Sequence, residues 1–198
     1  VQAPEAQGAI ENLLREGRTA EAFERLLDAR QEKVFRLMYS MTRDQVLAED
    51  LTQEAFVKAW KALPAWRGES SLSTWLYTIA RRTALDEIAA RRSKGALSLD
   101  EPAVLAAAEG AHAVSTEPGA AHDAERMLAR LPRHYREALT LFYLEEKSYE
   151  ETALAMGVPM GTLKTYLHRA RKELAGAFTE GSAQARSSRI KETAHVLL

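Results

Sequence analysis

Between Ala22 and Met41 the residues Phe23, Leu26, Leu27, Val34, Leu37, Met38 and Met41 keep to one broad apolar stripe. That spacing predicts an amphipathic helix. A second helix is predicted over Gln45–Leu63, with Asp44 placed to cap it and Pro64 to stop it. Its stripe is Ala48, Leu51, Ala55 and Ala59, with Phe56, Trp60 and Leu63 slightly rotated. The segment Ala65–Ser71 reads as a loop. Ser73 then caps a long helix to about Arg92, whose inward positions are Leu76, Ile79, Ala80, Thr83 and Ile88. The period-two alternation of strands is nearly absent.

The pattern breaks after residue 94. The next stretch is rich in Ala, carries Pro102, Gly110, Pro118 and Gly119, and has few large apolar residues. It cannot bury much and reads as a linker, with room for a short helix within Ala103–Glu109. Helical spacing then resumes. Glu125–Leu131 is one helix, closed by Pro132, and His134–Leu144 is a second. Ser148-Tyr149-Glu150-Glu151 has the form of a capping box, and Gly157 stands where a left-handed C-terminal residue is needed. A last helix starts near Pro159 or Met160 and runs to about Phe178. The fold class is all-α: two small helical domains, 20–94 and 124–177, joined by a flexible linker at 95–123. An N-terminal extension (1–19) and a tail (178–198) flank them. The tail is expected to fray, although its end, Val196-Leu197-Leu198, could dock.

Composition narrows the class. A chain of 198 residues, 46% hydrophobic and 28% charged, suits one medium or two small soluble domains. No run approaches the ~20 apolar residues of a membrane span, and Val1–Ile10 does not read as a secretory signal. Val1 in place of an initiator Met fits a processed or trimmed start. With no cysteine, disulfides, thiolate zinc sites and a Cys nucleophile are excluded, which fits a reducing cytoplasm.

A net charge of −1 argues against nucleic acid until its distribution is examined. Arg81–Lys94 holds five basic residues and two acids, a local net of +3. Lys164–Lys172 holds four basic residues and no acid, whereas Gly95–Glu125 holds six acids and no Lys or Arg. The acidic linker therefore separates two candidate phosphate-binding surfaces.

A short capped helix, a glycine turn and a second helix make a helix-turn-helix. Leu163, Leu167, Ala170 and Leu174 should pack on the helix before, leaving Thr162, Lys164, Thr165, His168, Arg169, Arg171 and Lys172 outward. Cations neutralise phosphates and can bond guanine, and the N-terminal residues Thr162, Lys164, Thr165 and Tyr166 would lie nearest the bases. The bland alternative is a solvated basic face. Two further patches lie upstream. Glu49, Asp50, Gln53 and Glu54 crowd the outer face of the Trp60 helix, where spacing alone favours a solvated surface. The Arg67–Ser71 loop adjoins Trp75, Tyr77, Arg81 and Arg82. Aromatics among cations can stack unpaired bases, although Trp75 is more simply a core residue.

Three stretches resemble one family. Ala48-Glu49-Asp50-Leu51-Thr52-Gln53-Glu54-Ala55-Phe56-Val57-Lys58-Ala59-Trp60 is similar to the core-binding helix of sigma factors. Trp66-Arg67-Gly68-Glu69-Ser70-Ser71 through Arg81 resembles their melting and −10 recognition segment. Leu131-Pro132-Arg133 through Tyr149-Glu150-Glu151 to Arg171 resembles their −35 reader. The order and gap match the minimal extracytoplasmic-function (ECF) type over roughly 20–94 and 124–177. The resemblance implies core polymerase as partner, through the largest-subunit clamp and the beta flap, with Asp50, Gln53, Glu54 and Lys58 as contacts to the clamp. It implies promoter DNA held at −10 by Arg67, Ser70, Ser71, Trp75, Tyr77, Arg81 and Arg82. At −35 it implies Thr162, Lys164, Thr165, Tyr166, His168, Arg169 and Arg171. It implies an anti-sigma factor, and no cofactor, small-molecule substrate or membrane insertion. Arg82 stands where many members carry Asn, and Tyr166 where many carry Arg.

Two rivals remain on the residues alone. A helix-turn-helix repressor or activator would bind operator duplex without polymerase, usually as a dimer. A nucleic-acid enzyme would need a carboxylate cluster or poised nucleophile, and His112, His122 and His134 are too scattered for a metal site. The acidic linker is expected to screen the basic faces until a partner holds the domains apart.

Overall fold

The computed structural model describes residues 3–93 and 128–176, with side chains from Gly8 onward, and every regular element among them is helical. The predicted linker (95–123) and tail (178–198) lie outside the described residues.

The N-terminal unit has four helices: α1 (Ala3–Arg15), α2 (Thr19–Thr42), α3 (Gln45–Ala62) and α4 (Leu72–Ser93). The periodic stripes predicted for α2 and α3 are the faces buried. Leu26, Val34, Leu37 and Met38 of α2 meet Ala48, Ala55 and Ala59 of α3, all at most 2% exposed. Three alanines on one stripe let α3 approach its neighbours closely. Asp44 caps α3 by accepting from the Leu47 N–H at 3.0 Å. The chain leaves α3 at Ala62, and Pro64 sits in a one-turn 3-10 helix, Leu63–Ala65.

One expectation is corrected and one segment is added. The cap of α4 is Ser71, not Ser73: the helix starts at Leu72, and the Thr74 N–H donates to Ser71 Oγ at 3.3 Å. Ser73 is 1% exposed, inside the first turn, where its N–H is one of the groups a preceding side chain must satisfy. The N-terminal extension is itself a helix, with Ile10 and Leu13 buried against the bundle. Ile10, Leu13 and Leu14 fall at helical spacing, but over so short a stretch that periodicity alone is a weak signal.

The C-terminal unit comprises a helical turn at 128–130, α5 (Arg133–Leu139), a π-helical turn (Thr140–Leu144), α6 (Tyr149–Met156) and α7 over 160–176. The expected helix through Leu144 is thus α-helical only to Leu139. The capping box is present in both directions: Glu151 N–H to Ser148 Oγ at 3.1 Å, and Ser148 N–H to Glu151 Oε2 at 3.2 Å. Gly157 closes α6 at φ 62, a conformation that costs glycine least. Leu163, Leu167 and Ala170 are completely buried. The helix-turn-helix predicted from pattern is the one observed.

Candidate nucleic-acid interface

On α7, burying Leu163, Leu167 and Ala170 turns Lys164, Thr165, His168, Arg169, Arg171 and Lys172 outward, all exposed, with Thr162 half-buried beside them. Lys164 Nζ lies 5.9 Å above the Tyr149 ring and Arg171 lies 5.8 Å above that of Tyr143, so neighbouring aromatics steady two of the cations. No acidic side chain interrupts this arc between Lys164 and Lys172. Tyr166, expected near the bases, is half-buried. Its ring centre lies 4.6 Å from His134 and 5.7 Å from Tyr135, so it braces α7 on α5.

The face of α3 is equally open. Glu49, Asp50, Gln53, Glu54 and Lys58 are exposed, and Lys58 pairs with Glu54 at 2.8 Å. Glu49 and Gln53, with Glu24 and Glu32 of α2, rim an apolar groove of about 1050 Å³ between α2 and α3, floored by Phe23, Leu27, Phe35, Phe56 and Trp60. Trp60 is 43% exposed and Val57 52%. An apolar floor inside a charged rim has the make-up of a protein interface.

The third predicted surface, on α4 and the loop before it, is not open. Arg67 and Arg82 are exposed and Ser70, Ser71 and Trp75 are half-buried, but Tyr77 is completely buried. The C-terminal unit covers this face, with α6 against α4 and α5 against α2. Three of its carboxylates take the groups expected to meet DNA. Glu145, whose side chain is fully buried, accepts from the Tyr77 hydroxyl at 2.8 Å and from Arg36 Nε and Nη2 at 3.1 and 2.9 Å. Lys33 lies 3.6 Å from the same carboxylate. Glu137, 1% exposed, pairs with Arg81. Glu151 accepts from Ser71, from Thr74 and from Lys147 at 2.9, 2.9 and 3.0 Å. Lys147 also donates to Ser73, and Arg136 Nε donates to the Ser40 carbonyl at 2.7 Å.

Local backbone geometry aims these groups. The π turn ends at Glu145, and Glu146 is held at φ 50, a left-handed conformation unusual for a side chain that is not glycine. Glu145 and Lys147, on either side, therefore both point inward, while Glu146 stays exposed. Electrostatics follow from the burial. Burial pushes the Glu137 carboxyl up, against the pull of Arg81. Burial also raises Glu151, but hydrogen bonds from Lys147, the Ser148 N–H and Ser71 outweigh it and hold that carboxyl at about 2. Lys147 is lowered by burial, partly offset by Glu151. Tyr77 is raised, by burial first and then by Glu145.

Sequence reasoning did not find this network. Glu151 was legible only as a cap. Glu137, next to the apolar run Ala138-Leu139, was the one available signal, since a buried acid demands a partner. Among the described residues there is no cluster of three or more His, Asp or Glu placed to hold a metal, and no helix long and apolar enough to cross a membrane.

The comparisons with known proteins match this layout. Sigma-70 region 2 matches residues 21–94, and Sigma-70, region 4 matches residues 121–174. The chain is 35% identical over 162 residues to the RNA polymerase sigma-H factor of Pseudomonas aeruginosa, covering 77% of this chain and 84% of that one. It is 33% identical over 154 residues to the ECF RNA polymerase sigma factor SigM of Bacillus subtilis, covering 75% and 90%. The structure is similar to that of the sigma factor RpoE of Bartonella quintana, solved in complex with the anti-sigma factor NepR. The TM-score is 0.65, identity is 25%, and 79% and 96% of the two chains are covered. CnrH, solved in complex with the cytosolic domain of CnrY, shares the fold at a TM-score of 0.57 and 18% identity, over 81% and 90%.

Proposed function

The chain belongs to the sigma-70 family, and from that premise we propose that it is an ECF-type sigma factor, a non-catalytic subunit that directs core RNA polymerase to specific promoters in the cytoplasm. Its domains are residues 20–94 and 124–177, with 95–123 as the connecting linker. The observation that carries the reading is the pairing, in one chain, of an exposed cationic recognition helix with a carboxylate-rimmed apolar groove.

In this mechanism Asp50, Gln53, Glu54 and Lys58 meet a basic helical partner, the polymerase clamp, with Val57 and Trp60 buried at the centre of the contact. The C-terminal unit contacts the beta flap and sets α7 in the major groove upstream. Thr162, Lys164 and Thr165 then lie nearest the bases, and His168, Arg169 and Arg171 along the phosphates. Downstream, Arg67, Ser70, Ser71, Trp75, Tyr77, Arg81 and Arg82 hold the melted non-template strand. That second step requires Tyr77 and Arg81 to leave Glu145 and Glu137. The free chain therefore rests closed, with carboxylates of the C-terminal unit over the α4 face; screening by the linker concerns residues outside those described. An anti-sigma factor would act by holding this closed form or by covering the groove.

The test is run-off transcription with purified core polymerase on a library of upstream regions, comparing the wild type with the Asp50→Lys, Glu54→Lys double variant. The wild type should initiate from discrete sites. The variant should lose about a hundredfold or more, because like charges would then face the clamp. A wild type that binds duplex tightly alone and starts no transcript would transfer the chain to the repressor or activator class.

A further inference from the structure

We propose that the apolar groove between α2 and α3 is covered, in the free protein, by the chain's own segment Arg186–Leu198 docked as an amphipathic helix, and that core polymerase must displace it. The segment lies outside the described residues and beyond the family-matched residues 121–174. Its docking stands on the groove and on the sequence, whereas the consequence for polymerase rests on the sigma reading.

The groove suits a partner that is apolar on one side and basic on its flank. Phe23, Phe56 and Trp60 floor one end, with the ring centres of Phe23 and Trp60 5.0 Å apart. Glu24, Glu32 and Glu49 stand on the rim, all exposed, and no Lys or Arg is among the described residues that line it. The segment has both properties. Ile190, Ala194, Leu197 and Leu198 fall at i, i+4, i+7 and i+8, one face of a helix. Arg186, Arg189 and Lys191 stand against the single acid Glu192. An amphipathic helix laid into an apolar groove is a recurring mode of recognition. The linker, with no Lys or Arg between Gly95 and Glu125, carries the wrong charge for this rim.

Length and polarity agree as well. The lining runs from Ala20 to Phe35 along α2 and from Gln45 to Trp60 along α3, about 22 Å of helix each. As a helix, Arg186–Leu198 spans about 20 Å. Joined by the turn Arg43-Asp44, α2 and α3 run back on each other, so Glu32 and Glu49 lie toward one end of the groove and Phe23 and Trp60 at the other. The basic half of the segment belongs at the Glu32 end and its apolar half at the Trp60 end. The Glu32 end is also the one the chain passes near. Arg171 of α7 lies over the Tyr143 ring, Glu145 two residues on pairs with Arg36, and Arg36 pairs with Glu32 at 2.7 Å. Residues 177–185 connect α7 to the segment and reach at most about 30 Å when extended. Tethered at an effective concentration on the order of mM, a segment of only about 0.1 mM intrinsic affinity covers the groove in roughly nine chains of ten.

The chain has no cysteine, so Gln31→Cys, at an exposed position lining the groove, and Ser188→Cys, in the segment, are unique sites for a short bismaleimide. Free full-length protein at high dilution should link within one chain. Adding Ile190→Asp and Leu197→Asp, which put charge on the apolar face, should slow linking at least about tenfold. Without the cysteines, that Asp pair and a chain stopped after Ala177 should each bind core polymerase about tenfold more tightly than wild type in competition, because the groove is then free. Equal linking with and without the Asp pair, or a link formed only between two chains, overturns docking within the chain and leaves the sigma reading intact. Docking with unchanged affinity for core polymerase overturns the masking. If no form binds core polymerase, the sigma reading falls, and the linking comparison still decides whether the segment docks.

Discussion

The protein presents two surfaces suited to DNA, and they stand in opposite states. On α7 the cations Lys164, Arg169, Arg171 and Lys172 face solvent. On α4 the tyrosine and the inner arginine are occupied, Tyr77 by Glu145 and Arg81 by Glu137. Both surfaces consist of aromatic and basic residues on an amphipathic helix, so composition does not separate them. The difference lies in what covers them. The face of α7 opposite its cations is satisfied within its own unit. The corresponding surface of α4 belongs to an interface between units, where three carboxylates take the places that phosphates and bases would fill. On the proposed function, α7 is free to meet duplex while the α4 face must first open.

The largest effect should come from breaking the closed side of this contrast. Glu145→Ala leaves Arg36, Lys33 and the Tyr77 hydroxyl without their shared acceptor. Removing one member of a buried ion pair costs roughly 3–5 kcal/mol, and the third of exposed surface that Arg36 and Lys33 retain puts the expected loss of closure nearer ~2 kcal/mol. Free variant protein should bind a forked, part-melted duplex at least about tenfold more tightly than wild type, in a fluorescence anisotropy titration, with duplex affinity little changed. Equal fork affinities would show that closure does not mask α4.

The open side should respond differently. Arg169→Ala with Arg171→Ala removes two phosphate-neutralising groups. The holoenzyme should lose roughly tenfold in upstream-element affinity, and the salt slope should fall by about two. Interdomain distance should not move. An unchanged slope would mean these cations do not reach the backbone.

A smaller effect is expected at Ser148, whose hydroxyl caps α6. Ser148→Ala should cost about 1 kcal/mol in thermal unfolding of the C-terminal unit, with closure little changed because the Ser148 N–H still donates to the Glu151 carboxylate. If calorimetry shows no destabilisation, the reciprocal cap contributes nothing to the unit that carries the recognition helix.

The smallest effect is in pH. The Glu137 carboxyl is raised by burial. The closed form therefore takes up a proton more readily than the open form, and its stability grows as pH falls toward the ordinary carboxylate range. Glu151 is depressed to about 2, so its contribution is intact above the ordinary carboxylate value and is lost only as pH falls below it. Above the ordinary carboxylate range Glu151 is silent, and Glu137 carries the carboxylate part of the pH dependence. Closure should strengthen slightly on acidification, and Glu137→Gln should flatten that dependence. Closure that weakens on acidification above that range in the wild type would refute the assignment.

Much of this fold was legible because each unit's elements obey local rules. Asp44, Ser148, Glu151 and Gly157 mark helix ends by chemistry that acts within four residues. The α7 stripe is periodic enough to separate core from cationic face. Failures occurred where a distant partner decides. The Ser71–Ser73 pair offers two plausible caps, and only the Glu151 contact and the burial of Ser73 distinguish them. Tyr77 sits among cations in sequence, yet its partner is a carboxylate 68 residues away. The π turn and the left-handed Glu146 that aim this carboxylate have no local signature.

The most direct test follows the distance between the two units when polymerase binds. The chain has no cysteine, so cysteines introduced at the exposed positions Lys61 and Glu173 can carry a donor and an acceptor dye. Free protein should show high energy transfer, and addition of core polymerase should lower it as α4 separates from α6. Transfer that stays at the free-protein level in a complex competent to initiate would contradict a closed form that opens to expose Tyr77 and Arg81.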